Sequence, residues 1–497
     1  MASLTQTTSR ALGWNYAGSF TRLAIAFGVN ILLTRLLGPR PFGEIAVALL
    51  LFGIGNLISG IGITSALIQK ENLDNRDIRF CFTAQMLVGM SMSVVLFLSA
   101  PLWASFFRVS ELTHMLRILS PLFVLQSSGT TAIALLNRDQ NTRAIQLASV
   151  SSYLLAFLGC AVPMALLGYG VWSLVMAYLV QACTNAILAY AQRRHTLLPL
   201  LHRGGVPLVR FGLAVLGANL SNWGISNLDN TVVGRVSGPS ALGFYSRAFT
   251  LASLPAENII GNLLPVLLPA YSRVQYDTKK LGRIYAAAFG IVALILFPPF
   301  CAMACVPSVI VLGLYGAKWS PAIDFFQPLA LAIPLNAVMA LTGPLLASRG
   351  KPHIEMRLQL IVVLVAGFAY SISVQHSVLA LSWTVLGVYV LRFLLLTRSA
   401  LREIGCTSKE LVRNAWTAVV PVAVACISAT AANLWIPVHA YWIRLIVVAG
   451  CSGASTLLCL YSARGLLILP ILRGVPEIER LLQDQMLRFG VLIGARR

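Results

Sequence analysis

Apolar positions along this chain run in long blocks and do not alternate with polar ones, so helices, not half-buried strands, are the predicted elements. Each block is roughly 20 to 25 residues, the length a helix needs to cross about 30 Å of hydrocarbon. Breaks rich in charge, Gly or Pro separate fourteen of them. The first six are 11–33, 42–68, 80–105, 113–136, 144–167 and 170–191. The next six are 209–232, 243–270, 284–311, 322–347, 354–374 and 377–397, and the last two are 414–435 and 440–462. The pattern predicts an all-α polytopic membrane protein with 14 transmembrane helices and short loops.

Composition agrees: 58% of residues are apolar and 11% charged, where a soluble domain carries about 25% charged residues. The formal net charge of +21 would suggest a nucleic-acid partner in a soluble protein. Here the basic residues sit in the gaps between blocks, which makes them a topology signal and argues against nucleic acid. With the N-terminus placed in the cytoplasm, 27 of the 37 Lys and Arg residues fall on the cytoplasmic side, six on the outer side and four inside spans. Both termini are therefore expected inside. The first block contains Arg22 and lacks a convincing small-residue cleavage site, so it reads as a retained span. Residues 477–489 have the pattern of an amphipathic helix on the cytoplasmic surface, with Ile478, Leu481, Leu482, Met486 and Phe489 on one face. The gap from 192 to 208 is basic and holds Pro199, Gly204, Gly205 and Pro207, as a linker would. Nine cysteines are scattered singly with no zinc or redox spacing.

The chain also repeats itself. Arg35-Leu36-Leu37-Gly38-Pro39-Arg40-Pro41-Phe42-Gly43 joins the first two spans, and Arg235-Val236-Ser237-Gly238-Pro239-Ser240-Ala241-Leu242-Gly243 joins the seventh and eighth. Both read R-x-x-G-P-x-x-x-G. A weaker pair, Leu135-Leu136-Asn137-Arg138 and Leu345-Leu346-Ala347-Ser348-Arg349, ends the fourth and tenth spans. Because six helices separate the copies, two lobes of like orientation are expected, related by a pseudo-two-fold axis along the membrane normal. The expected organisation is an N-lobe (1–191), a cytoplasmic linker (192–208), a C-lobe (209–400), two added helices (401–465) and a cytoplasmic tail (466–497).

Charges within the spans are the candidate chemistry, since a central Arg costs roughly 2.5 to 3.5 kcal/mol to insert. Arg22 in span one and Arg247 in span eight belong to different lobes and could point across one cleft. The guanidinium offers paired, permanently charged donors that match phosphate oxygens. Both are candidate substrate ligands, with Arg117, Asn219 and Asn222. The alternative for Arg22 is a structural pair with Asp229 or Glu257, and for Arg247 and Arg117 snorkelling to the interface. Asp229, Glu257 and Asp324 are candidate charge partners or coupling groups. Arg35, Gly38, Pro39, Arg235, Gly238 and Pro239 are gating candidates. Trp14, Tyr16 and Trp223 could stack on sugars, although interfacial anchoring is the commoner use. Arg392 lies close to the cytoplasmic end of span twelve. Catalysis is not expected: the chain has no P-loop, and it lacks a large outer loop with carboxylates and His for acid–base work. No cofactor or metal is implied.

These residues resemble a known family. Thr34-Arg35-Leu36-Leu37-Gly38-Pro39, Phe42-Gly43, and the run from Gly60 through Gly62, Ser65 and Ala66 to Gln69 are similar to the polysaccharide transporter branch of the multidrug/oligosaccharidyl-lipid/polysaccharide exporter superfamily. So are Asn227-Leu228-Asp229, Gly234-Arg235, Gly243-Phe244-Tyr245-Ser246-Arg247, Leu268-Pro269 with Ser272-Arg273, and Tyr315-Gly316-Ala317-Lys318-Trp319. The resemblance covers residues 10 to 400 or so. It implies a Wzx-type flippase of the bacterial inner membrane that carries undecaprenyl-diphosphate-linked repeat units for exopolysaccharide, capsule or O-antigen by rocking one lobe against the other. Membrane lipids, a polysaccharide polymerase and chain-length machinery are the implied partners. In the related lipid II flippases, arginines on the first and eighth helices are thought to engage the diphosphate, and Arg22 and Arg247 stand at comparable helix positions. An ion-coupled drug or metabolite exporter of the same superfamily is the nearest alternative, and a polysaccharide polymerase the next.

Overall fold

The computed structural model describes residues 21–59, 67, 73–200, 223–405, 407–435 and 441–462. Its helices in chain order are α1 (21–36), α2 (Pro39–Ser59), α3 (Asn75–Phe107), α4 (Leu112–Arg138), α5 (Thr142–Leu166), α6 (Val171–Gln192) and α7 (223–236). They continue as α8 (Gly238–Arg273), α9 (Thr278–Cys305), α10 (Ala322–Ser348), α11 (Pro352–His376), α12 (Val378–Glu403), α13 (Ser408–Trp435) and α14 (Tyr441–Ser462). Twelve of these are long and apolar enough to cross a membrane among the described residues, and α1 and α7 are the described parts of the first and seventh expected spans. The protein is an all-α, multi-pass membrane protein. Its lipid-facing sides are apolar, with Leu98, Leu102, Leu364 and Phe368 at least 70% exposed, a distribution that hydrocarbon favours and water would not.

Local chemistry sets the helix ends. Asp74 accepts from the Asn75 amide at 2.6 Å while the Asp77 carboxylate accepts from the Asp74 amide at 3.1 Å, closing a capping box at the start of α3. Thr407 and Glu410 close a second capping box at α13, while Asn141, Asp277 and Ser377 cap α5, α9 and α12 by accepting from the third helical amide. Several boundaries differ from those expected. The eighth helix begins at Gly238, not 243, because Pro239 is already shaped for a helical first turn. The ninth ends at Cys305, not 311, because Pro307 removes a backbone donor and opens a separate short helix, Pro307–Tyr315. The twelfth continues to Glu403, which places Arg392 well inside the helix, buried, with its Nη1 donating to Asn336 Oδ1 at 3.2 Å. α4 is interrupted at Ser120-Pro121, and α5 carries a π-helical stretch over Leu154–Ala161.

Chain contacts divide the molecule into two compact units, Met1–Ser246 and Arg247–Arg497. In the first, small residues bring helices close. A side chain on Gly129 would meet the Ala186 backbone at 2.8 Å, so α4 and α6 pack nearly backbone to backbone. In the second, Asn414 Nδ2 donates to the Ala286 carbonyl at 2.9 Å, fixing α13 on α9, and Ser455 Oγ donates to Ser428 Oγ at 2.8 Å across α13 and α14. The weaker sequence repeat has a structural counterpart inside each unit. Arg138, at the end of α4, donates to the Leu67 carbonyl at 3.1 Å, and Arg349, just past α10, donates to the Gln275 carbonyl beyond α8. Both arginines stand at the end of their own helix and satisfy a backbone carbonyl about 70 residues earlier in the chain.

Residues 193–200, the described part of the expected linker, are extended and strapped along α3. Arg79 donates to the Leu198 and Pro199 carbonyls at 3.1 and 3.4 Å, and Thr83 Oγ1 accepts from the Leu200 amide at 2.8 Å. Arg193 pairs with Asp139 at 2.9 Å. His195 sits between the Tyr190 and Phe82 rings, and burial, with Arg193 adding to it, holds its pKa below the usual 6.5. Residues 201–208 and the expected amphipathic tail lie outside the described residues.

Two outcomes test this strap. Arg79→Ala and Thr83→Val should each speed amide exchange across 198–200 and leave α3 unchanged, as read by hydrogen-exchange mass spectrometry. Because His195 is neutral in the folded strap, its contribution is present above the ordinary imidazole value and is lost as pH falls through the lowered one. A spin label on Leu197 should therefore gain mobility as pH drops below about 6.5, and His195→Phe should flatten that response.

Candidate functional site

Each copy of the R-x-x-G-P-x-x-x-G sequence forms the turn between two helices. In the first, α1 ends at 36 and α2 opens at Pro39; in the second, α7 ends at 236 and α8 opens at Gly238, whose φ of 81° suits glycine. The motif's last glycine falls four residues after its proline, one helical turn on and therefore on the same face. The turns meet at these positions. A Cβ on Gly43 would lie 1.6 Å from the Pro239 carbonyl oxygen, and a Cβ on Gly243 would lie 1.9 Å from the Pro39 carbonyl oxygen. Those same positions are 3.0 and 3.2 Å from the other glycine's amide nitrogen. The contact is reciprocal, a local two-fold between the repeat copies, and only hydrogen fits at either glycine. Each glycine Cα–H faces a carbonyl oxygen, a weak attraction that recurs where helices touch through backbone.

The α2–α7 approach continues inward. A Cβ on Gly53 would lie 2.8 Å from the Trp223 indole nitrogen, so Trp223 packs on α2. Leu242 and Phe107 close on Gly234, and the Arg235 guanidinium stacks over Phe106 at 5.2 Å. Arg40, in the first turn of α2, pairs with Glu44 at 2.9 Å.

Behind the paired turns lies a buried carboxylate. Asp229 on α7 is 2% exposed, and its Oδ2 accepts from the Tyr245 hydroxyl at 2.6 Å. Its Oδ1 accepts from the Asn230 amide and side chain at 2.8 and 3.3 Å. Tyr245 follows Gly243 by two residues, so this hydrogen bond fastens the first turns of α8 to α7 and holds Gly243 in position. Burial at this cost is tolerated because every close donor is satisfied by the carboxylate. In the described residues the charged candidate Asp229 is thus held by a phenol and an amide.

The remaining candidates fall as follows. Arg22 is exposed on α1, and Arg35 is exposed at its end. Arg247 is half-buried one turn beyond Gly243. Arg117 is exposed and stacks over Phe97 at 5.1 Å, an arrangement that covers its guanidinium with an aromatic face. Glu257 is exposed on α8. Asp324 is exposed in the first turn of α10, where a carboxylate complements the helix dipole. Asn219, Asn222, Trp14 and Tyr16 lie outside the described residues. The repeated motif includes Gly43 and Gly243 but does not reveal the contact they make; the glycine one turn after each Gly-Pro was the available signal. Tyr245 and the Asn336 partner of Arg392 carried no local signal, because each is defined by a neighbour distant in sequence. Among the described residues no cluster of His, Cys, Asp or Glu could hold a metal ion.

A family model described as polysaccharide biosynthesis protein matches residues 32–324, more than half of the chain. The succinoglycan biosynthesis transport protein ExoT of Rhizobium meliloti (strain 1021) is 28% identical over 66% of this chain and 66% of its own length. The lipopolysaccharide biosynthesis protein WzxC of Escherichia coli (strain K12) is 24% identical over 71% and 73%, and the teichuronic acid biosynthesis protein TuaB of Bacillus subtilis (strain 168) is 23% identical over 68% and 71%. Among solved structures, the lipid II flippase MurJ in an inward closed conformation has a TM-score of 0.74 at 11% identity, covering 91% of this chain and 99% of that one. An inward-facing multidrug resistance MATE family transporter has a TM-score of 0.63 at 16% identity, covering 77% and 95%. At these identities the structures establish a shared fold. The chain belongs to the polysaccharide biosynthesis protein family.

Proposed function

We propose that this transporter flips an undecaprenyl-diphosphate-linked oligosaccharide across the bacterial inner membrane by alternating access, with both termini in the cytoplasm. The observation that carries the reading is the reciprocal contact of Gly43 with Pro239 and Gly243 with Pro39 in a chain of this family. At these two glycines the nearest atoms are backbone, so the turns themselves can part without withdrawing a side chain. The contact is therefore suited to a gate. Arg35, Gly38, Pro39, Arg235, Gly238 and Pro239 form its two turns, and the charge asymmetry orients it towards the periplasm. The named roles of the relatives, in succinoglycan, lipopolysaccharide and teichuronic acid synthesis, support a glycan cargo.

Arg22 and Arg247 are the proposed diphosphate ligands. Each is an intramembrane cation whose insertion cost is recovered if it meets phosphate, and Arg holds its charge throughout the physiological pH range. Asn219 and Asn222 are proposed to add donors for the sugar. Asp229 acts in this scheme through Tyr245, by holding the first turn of α8 against α2. A polysaccharide polymerase and chain-length machinery are the proposed downstream partners. The drug-exporter reading has only the fold in its favour.

Two measurements bear on the proposal. Export of lipid-linked oligosaccharide should fall at least tenfold in Arg22→Ala and in Arg247→Ala at equal expression, about the loss of one charge-assisted contact at 1.4 kcal/mol or more; normal export by both would remove the diphosphate clamp. Gly43→Val and Gly243→Val force a side chain onto a carbonyl and should each destabilise the closed gate by about 1–3 kcal/mol. A thiol probe at Ser240 should then label faster than in wild type, whereas unchanged labelling in both variants means the turns do not gate.

A further inference from the structure

The second unit carries a groove of about 730 Å³ between α9, α12 and the first half of α13, within the roughly 300–1,000 Å³ of ligand-sized sites. Its inner wall is formed by Phe289 and Phe393, whose rings lie 6.1 Å apart. Its outer wall includes Trp416, 69% exposed. Arg398 and Arg402 line the end nearest the loop before α13. They lie one turn apart on α12, so they share a face. Both are exposed, and neither makes an ion pair among the described residues. The adjacent carboxylate of Glu403 is engaged by Lys351 at 2.8 Å, and that of Glu410 turns back to the Thr407 amide at 3.3 Å. Neither acid is therefore directed at the two guanidiniums. Ser408, the first residue of α13, also lines the groove, which brings the positive end of that helix dipole to the same end as the arginines.

We propose that this groove binds one anionic phospholipid, its phosphate held by Arg398 and Arg402 and an acyl chain lying along Phe289, Phe393 and Trp416. An apolar groove on a membrane-facing surface takes hydrocarbon as its solvent, and basic pockets between transmembrane helices select anionic headgroups. Paired guanidiniums match phosphate oxygens in geometry as well as charge. A zwitterionic lipid would bring its ammonium group up to the same arginines, so the site discriminates by net charge. Trp416, exposed at the groove, is a side chain of the type that bridges headgroup and acyl regions. The site lies wholly within the second unit.

The test uses the full chain in phosphatidylcholine nanodiscs titrated with phosphatidylglycerol brominated on its acyl chains. The signal is the Trp416 share of the fluorescence, taken as the difference between wild type and Trp416→Phe. Brominated phosphatidylglycerol should quench that share with about tenfold preference over brominated phosphatidylcholine, equivalent to about 1.4 kcal/mol. In Arg398→Gln/Arg402→Gln the preference should collapse to about one with the helical content and melting unchanged. Ala415→Phe keeps both arginines but fills the groove, and should abolish quenching by either lipid. Equal preference in wild type and the double variant overturns the proposal. So does relief of quenching by inorganic phosphate alone, which would describe a bare anion site, or an absence of quenching in wild type, which would mean that another part of the chain covers the groove.

Discussion

Hydrocarbon offers no hydrogen-bond partners, so every backbone N–H and C=O within the bilayer must be satisfied by the chain itself. That constraint imposes helices, and it also dictates where polar side chains are used. Asp74, Asn141, Asp277, Ser377 and Thr407 all stand at helix starts and occupy donors that the first turn leaves open. Arg138 and Arg349, each at the end of its own helix, do the complementary work on a backbone carbonyl, once in each unit. The charged gaps that mark topology in the sequence are thus also the groups that close the backbone ladders.

Once the backbone is satisfied, association between helices depends on how closely they can approach, because lipid tails are as apolar as leucine. Glycine, alanine and serine supply that approach at Gly129 with Ala186, Ser428 with Ser455, and the paired Gly43 and Gly243. The last pair differs in kind. It joins two helix starts through reciprocal backbone contact, and the residues next to the two glycines in sequence, Phe42 and Leu242, are buried. A transporter needs interfaces that hold and separate, and packing by backbone and hydrogen alone provides a close fit with little to disentangle.

Intramembrane charge is handled in two ways. Asp229 and Arg392 are buried and given local hydrogen-bond partners, Tyr245 with Asn230 and Asn336 respectively. Arg22, Arg117 and Glu257 are exposed on their helices. For Arg117 the Phe97 ring provides cover, which fits a residue at the edge of the membrane better than one lining a path. The distinction separates charged groups held by neighbouring side chains from charged groups that stand exposed on their helices.

By itself, the sequence determined the membrane class, the helix count and the repeat, because those depend on residue type and spacing along one dimension. Blocks of apolar residues, the Gly-Pro turns and the arginines at 138 and 349 were legible for that reason. Helix boundaries at Gly238, Cys305 and Glu403 were less so, since hydropathy fades gradually where a cap or a proline ends a helix abruptly. The tertiary structure alone decided what the motif glycines touch, which phenol holds Asp229 and how deep Arg392 lies. Each of these is a property of two segments far apart in the chain, brought within bonding distance only when the helices pack.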